Sequence, residues 1–147
     1  MTARYMLDTT ICIYIRRARP PQVLQRFRAL RPHEVVMSPI TQGELLFGLE
    51  KIRDTPGFDA ARRAFADLAQ LIPVASLGET TAAQYALFRA KLQKTGSLIG
   101  NNDFWIAAHA AALDVILVTN NTREFDRLKP GLKVENWADG MMAGSSA

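Results

Sequence analysis

Cysteine is almost absent from this chain. Cys12 is the sole one in 147 residues, so no internal disulfide and no thiolate metal cluster can form. It stands in the apolar stretch ICIYI, as a small core residue would. Histidine is nearly as scarce, with His33 and His109 alone, too few for a His-rich zinc site. No apolar run reaches the roughly 18 residues that a membrane span needs. The start, MTARYMLDTT, meets an acid where a signal peptide would continue apolar towards a cleavage site. The expectation is a cytoplasmic protein with no membrane partner. Acids are outnumbered, 14 Asp and Glu against 18 Lys and Arg, for a formal charge of +4. The excess is arginine, clustered at Arg16, Arg17 and Arg19, at Arg26, Arg28 and Arg31, and at Arg62 and Arg63. Such a domain suits a polyanionic partner, nucleic acid first, although a plain solvated surface would read the same.

What is present is a chain 48% apolar, enough for one compact domain with a core. We assign residues 1–140 to it and expect 141–147, MMAGSSA, to be a flexible tail. Strand and helix signals alternate. RYML (4–7), EVVMS (34–38), IPVAS (72–76), VILVT (115–119) and GLKVENW read as strands. Between them, TICIYIRR, PPQVLQRFRAL, ITQGELLFGLEKI, FDAARRAFADLAQL, ETTAAQYALFRAKLQKTG and DFWIAAHAAAL read as helices. The last is apolar nearly all round and is expected to be central and buried. Strands separated by helices require crossovers and a parallel sheet. The fold class is α/β, in three layers, α/β/α, around a sheet of about four or five strands.

In such a sheet, strands end where the following helices begin, and ligands bind along that edge. Asp8 follows RYML directly. Glu44 is expected in the first turn of the helix after EVVMS. Asp103 opens the buried helix, and Glu124 lies just past VILVT, with Asp126 as its competitor. Glu34, Asp114, Glu50 and Asp54 belong to the opposite edge. Taken singly, each of the four has a plain explanation. Asp8 and Asp103 suit helix N-caps, and Thr41-x-x-Glu44 and Asn121-x-x-Glu124 fit the capping-box pattern. Taken together, four carboxylates at one edge repel one another unless a cation neutralises them. Oxygen donors without thiolates select a hard ion, Mg2+ or Mn2+. Thr9, Thr119 and Asn120 are placed to bond the ligating oxygens or water on the ion.

The stretches MLDTT (6–10), QGELLFG (42–48), IGNNDFWIAAHA (99–110) and VTNNTREF (118–125) resemble, in order, the motifs of PIN-domain ribonucleases, most closely the VapC toxins of toxin–antitoxin pairs. The resemblance implies a PIN-like fold and a Mg2+- or Mn2+-dependent endoribonuclease whose catalytic and metal-binding acids are Asp8, Glu44, Asp103 and Glu124. Glu124 is preferred to Asp126 because it directly precedes Phe125, and Thr119 matches the family's hydroxyl residue. The resemblance further implies a structured RNA substrate, tRNA and in some members initiator tRNA. It also implies a homodimer and a small VapB-like antitoxin that blocks the active site. Thr10 replaces the usual asparagine of the first motif, and Asn101 stands where proline is common, which predicts a looser turn there. Two rival readings stand beside this one. A Mg2+-dependent small-molecule phosphohydrolase would want a lysine at a strand end, which is lacking here. A non-cleaving PIN-like binding protein would be favoured by a missing acid, and none is missing.

Overall fold

The computed structural model describes residues 2–139, and the tail expected at 141–147 lies outside them. The chain enters through β1 (Tyr5–Leu7), passes α1 (Thr9–Arg17) and α2 (Pro21–Arg28), and returns by a 3-10 turn to β2 (Val35–Val36). Four helices follow: α3 (Pro39–Lys51), α4 (Phe58–Leu71), α5 (Glu79–Lys94) and α6 (Asn101–Ala112). Then come β3 (Ile116–Val118), the single-turn α7 (Thr122–Phe125), a second 3-10 turn and β4 (Lys133–Glu135). The strands form one sheet in the order β2-β1-β3-β4, with every pair parallel. This is the expected α/β/α arrangement with the smaller of the two strand numbers.

The strands are buried on both faces, and alternation sorts their side chains. Met6, Leu117 and half-buried Val36 join Phe88, Leu92, Phe104 and Ile106 in one layer, under α5 and α6. Tyr5, Leu7, Val35 and Val118 join Ile11, Cys12, Ile15, Val23 and Leu68 in the other, under α1, α2 and α4. Cys12 is thus the inert core thiol that its setting suggested. Trp137 closes the second layer, fully buried and edge-on to Tyr5 with ring centroids 5.3 Å apart. No helix among the described residues is long and apolar enough to cross a membrane.

Two local readings need correction. IPVAS does not form a strand; it makes one parallel bridge, Met37 to Val74. Pro73 has no N–H to donate, so the contact is limited to Met37 N–H on the Pro73 carbonyl and Ala75 N–H on the Met37 carbonyl, both at 2.9 Å. The buried helix starts at Asn101, two residues before the DFWIAAHAAAL pattern. By contrast, α5 ends as the sequence indicates. Gly96 takes φ +66, a left-handed conformation that glycine adopts without strain. Its N–H bonds the Gln93 carbonyl at 3.2 Å while Ser97 N–H bonds that of Leu92 at 3.0 Å, a Schellman closure.

The sheet order also decides where a ligand can bind. The chain steps from β1 to β2 on one side and later returns to place β3 on the other side of β1. The strand order therefore reverses between β1 and β3, which opens a crevice beyond their carboxyl ends. Asp8 and Thr119 are the residues immediately beyond those ends.

Candidate active site

Asp8 extends β1 by one bond, its N–H donating to the Val118 carbonyl at 3.0 Å. It is also the N-cap of α1, with Oδ1 accepting the Ile11 N–H at 2.9 Å. The capping reading is therefore correct for Asp8 but incomplete. The residue is 8% exposed, and a carboxylate that deep resists ionisation. Burial raises its pKa to about 6; the Thr119 hydroxyl and the Ile11 N–H oppose the rise, and the charges of Asp103 and Glu44 add to it.

Asp103 is the third residue of α6, whose N-cap, Gly100, offers no side-chain bond. Its pKa is also raised to about 6, first by burial, then by the charges of Glu124 and Glu44. Glu44 is held at both oxygens. The Thr9 hydroxyl donates to Oε1, and Asn102 Nδ2 donates to Oε2 at 3.3 Å. The field of each acid thus reaches another, and the chain Asp8–Glu44–Asp103–Glu124 is continuous.

Neither capping box exists. α3 starts at Pro39 behind the N-cap Ser38, whose Oγ accepts the Ile40 N–H at 3.2 Å. Glu44 is therefore in the second turn rather than the first, and Thr41 is buried with its hydroxyl unpartnered. Asn121 caps α7 without a side-chain bond, and its N–H goes to Thr119 Oγ1 at 2.9 Å. The carboxylates of Glu44 and Glu124 are thus not consumed by capping.

Among the three polar neighbours, Thr9 and Thr119 touch acids and Asn120 does not. Asn120 is exposed; its Nδ2 donates to the Tyr14 hydroxyl at 3.1 Å and its Oδ1 accepts from Asn136 at 3.2 Å. The competitor Asp126 is exposed and paired with Lys129 at 3.0 Å. Glu34, Glu50 and Asp114 pair with Arg4, Arg53 and Lys133 respectively, away from the crevice. Phe104 and His109 are core, as their apolar helix implies, with His109 Nε2 on the Ser76 carbonyl at 3.0 Å. Burial lowers the His109 pKa, so its imidazole is neutral and bonded elsewhere. Sequence reasoning missed Asn102; its place beside Asp103 was the available signal. It also misjudged Asn101, which is bonded to α5 rather than loose.

In this conformation no three His, Cys, Asp or Glu side chains among the described residues stand close enough to cage an ion. Coordination needs about 2.0–2.1 Å for Mg2+, whereas charges influence one another over several times that distance. The donor chemistry nonetheless fits a hard cation: four carboxylates and two hydroxyls, with the Cys12 thiol and the His109 imidazole buried elsewhere. A groove of about 490 Å³ lies between α1, α2 and α4, lined by Ile15, Leu24, Phe27 and Leu68 among others and by none of the four acids.

Thr119 offers a direct check on the geometry. Thr119→Val breaks the part-buried bond from the Asn121 N–H and takes one partner from the buried Asp8 carboxylate. The expected loss is about 1–3 kcal/mol of folding stability at pH 7, read by urea denaturation; an unchanged midpoint would contradict the assigned bonds.

The family described as the PIN domain matches residues 5–129. A ribonuclease VapC2 of Haemophilus influenzae is 40% identical over 134 residues, covering 91% of this chain and 98% of its own. The tRNA(fMet)-specific endonuclease VapC of Shigella flexneri is 35% identical over 135 residues, covering 92% and 98%. Among solved structures, DNA-bound VapBC from Salmonella typhimurium aligns with a TM-score of 0.83 and 30% identity, over 92% of this chain and 99% of that one.

Proposed function

The chain belongs to the PIN-domain family and, within it, to the VapC ribonucleases, and from that premise we propose that it is the toxin of a toxin–antitoxin pair, cutting structured RNA at the crevice that carries Asp8, Glu44, Asp103 and Glu124. One observation carries the reading. Glu44 is bonded by Thr9, which follows Asp8, and by Asn102, which precedes Asp103, and both aspartates are pushed to about 6, chiefly by burial. Carboxylates buried beside one another serve a positive ligand better than they serve the fold.

Asp8 and Asp103 would hold a Mg2+ or Mn2+ ion directly, with Glu44 and Glu124 acting through water. A bound divalent ion supplies charge neutralisation at phosphorus and acidifies water for attack. The side chains do the rest. Thr119 and Ile11 fix the Asp8 carboxylate, and Thr9 and Asn102 fix that of Glu44. Glu124 orients or accepts the proton of the attacking water. Exposed arginines hold the RNA backbone, as salt-sensitive binding would reveal. The tRNA assignment, initiator tRNA first, is supported by relatives named for tRNA(fMet). A VapB-like antitoxin is supported by solved relatives that are VapBC complexes. A single arginine laid among these acids would block them, being bidentate and permanently charged. For a homodimer, Leu46 and Phe47 on α3 offer exposed apolar surface, whereas Leu49 beside them is core.

The test is cleavage of purified initiator and elongator tRNAs, with Mn2+ or Mg2+, with chelator, and with metal restored. Cleavage that needs the ion and favours initiator tRNA is expected. Hydrolysis of small phosphomonoesters without RNA cleavage would overturn the assignment. The same assay separates the two acids past β3. Glu124→Gln should lower the rate about 10–100-fold, while Asp126→Asn, which breaks an exposed pair, should leave it within about twofold. The reverse order would move the fourth position to Asp126.

A further inference from the structure

The first turn of α6 is gripped from two sides. On one side, Asn102 donates to Glu44 of α3. On the other, Asn101 meets α5. Its Oδ1 accepts from the Tyr85 hydroxyl at 2.5 Å and from Arg89 Nη1 at 3.1 Å. Arg89 Nη1 also donates to the Tyr85 oxygen at 2.6 Å, which closes the triangle. The Tyr85 ring lies flat on Trp105, with centroids 4.0 Å apart and planes 13° from parallel. Asn101 and Trp105 are four residues apart and so share one helix face. Asp103 lies about 200° around the helix from Asn101, where it feels Glu124 and Glu44.

This turn needs holding. Its leading N–H groups have no intrahelical acceptor, and Gly100 supplies no side-chain cap. The neighbouring carboxylates also repel Asp103, which favours fraying of the turn that bears it. We propose that Tyr85, Arg89 and Asn101, seated on Trp105, form a clasp that positions Asp103 from the face of α6 opposite the acids. None of the clasp residues bonds an acid; they act through the helix turn. The catalytic consequence rests on the nuclease reading, whereas the clasp itself does not.

Tyr85→Phe keeps the ring stack and removes the hydroxyl, and Asn101→Leu removes the shared acceptor. Three quantities are read in each variant and in wild type: native-state hydrogen exchange, thermal midpoint, and kcat and KM for tRNA at saturating Mn2+. Phe104 N–H, bonded to the Gly100 carbonyl at 3.0 Å, reports the turn, and Leu117 and Val118 in β3 report the core. Exchange at Phe104 should quicken at least about fivefold, the worth of one hydrogen bond, and the midpoint should fall by about a few degrees. The kcat should fall about threefold to tenfold, because Asp103 is less well placed, while KM holds. Combining the two substitutions should cost less than their sum, since each removes two of the three bonds and one bond is common to both. Unchanged exchange at Phe104 in both variants overturns the clasp. A rise in KM at constant kcat also overturns it, in favour of a direct RNA contact. If wild-type protein cut no RNA, the nuclease reading would fall, and the exchange result alone would decide the clasp.

Discussion

Asp103→Asn should abolish RNA cleavage, by about a thousandfold or more, in a protein that stays folded. The magnitude follows from the several kcal/mol of charge stabilisation that an ion contributes at phosphorus. The folding expectation follows from the site. Asp103 caps nothing, and its surroundings penalise its charge rather than use it. An amide of the same shape fits the turn and relieves the repulsion from Glu124 and Glu44. Asp8→Asn should behave alike, because an asparagine oxygen can still accept the Ile11 N–H and asparagine is as good an N-cap as aspartate. Gel-based cleavage of tRNA, alongside circular dichroism of each variant, reads both halves of the expectation. Wild-type rates in either variant would remove that residue from the catalytic set. Loss of activity together with loss of fold would mean that the carboxylate was structural after all.

The parts legible in the sequence were those that depend on periodicity and chain direction. VILVT could be read as a doubly buried strand because every residue in it is apolar or β-branched, and β3 lies within it. The edge argument needed only the rule that strands end where helices start, and Asp8 and Thr119 do follow β1 and β3 directly. One miss was local, and two others depend on neighbours distant in sequence. Pro39 and Ser38 begin α3 earlier than the apolar pattern does, which moved Glu44 by a turn and undid its capping box. Asn120 sits in a run of small polar residues that all look alike in sequence; Tyr14 and Asn136, 106 and 16 residues away, settle where it points. Asn101 looked like a defect in a motif because Tyr85 and Arg89, its partners, lie in another helix.

In the metal-free protein, Asp8 should contribute more stability as the pH falls from 7 towards 5, against the usual trend of acid denaturation. Asp8 rises from 3.8 to about 6 on folding, so the native state binds its proton more tightly than the unfolded chain does. Stability from such a group is fully present below about pH 4 and is lost as the pH rises through 6. With Asp8 nearly buried, solvent screening is slight, and the contribution is about 1–3 kcal/mol between those limits. Asp103 shifts in the same direction but is more exposed, so its effect is smaller. His109 works the other way: its lowered pKa means that acid costs the fold stability as the pH drops below its ordinary 6.5. A wild-type profile alone therefore mixes opposing signs. The difference between Asp8→Asn and wild type separates them, since His109 is common to both. The variant should melt several degrees higher at pH 7.5, the shift expected of a few kcal/mol in a domain this size, and the gap should close near pH 4. Saturating Mn2+ should close that gap at pH 7.5. An ion at a hundred times its dissociation constant stabilises the native state by about 2.7 kcal/mol, and Asp8→Asn forfeits that gain. A gap between the two proteins that stayed constant from pH 4 to 8 would mean that Asp8 keeps an ordinary pKa, and the strain attributed to the acidic crevice would not exist.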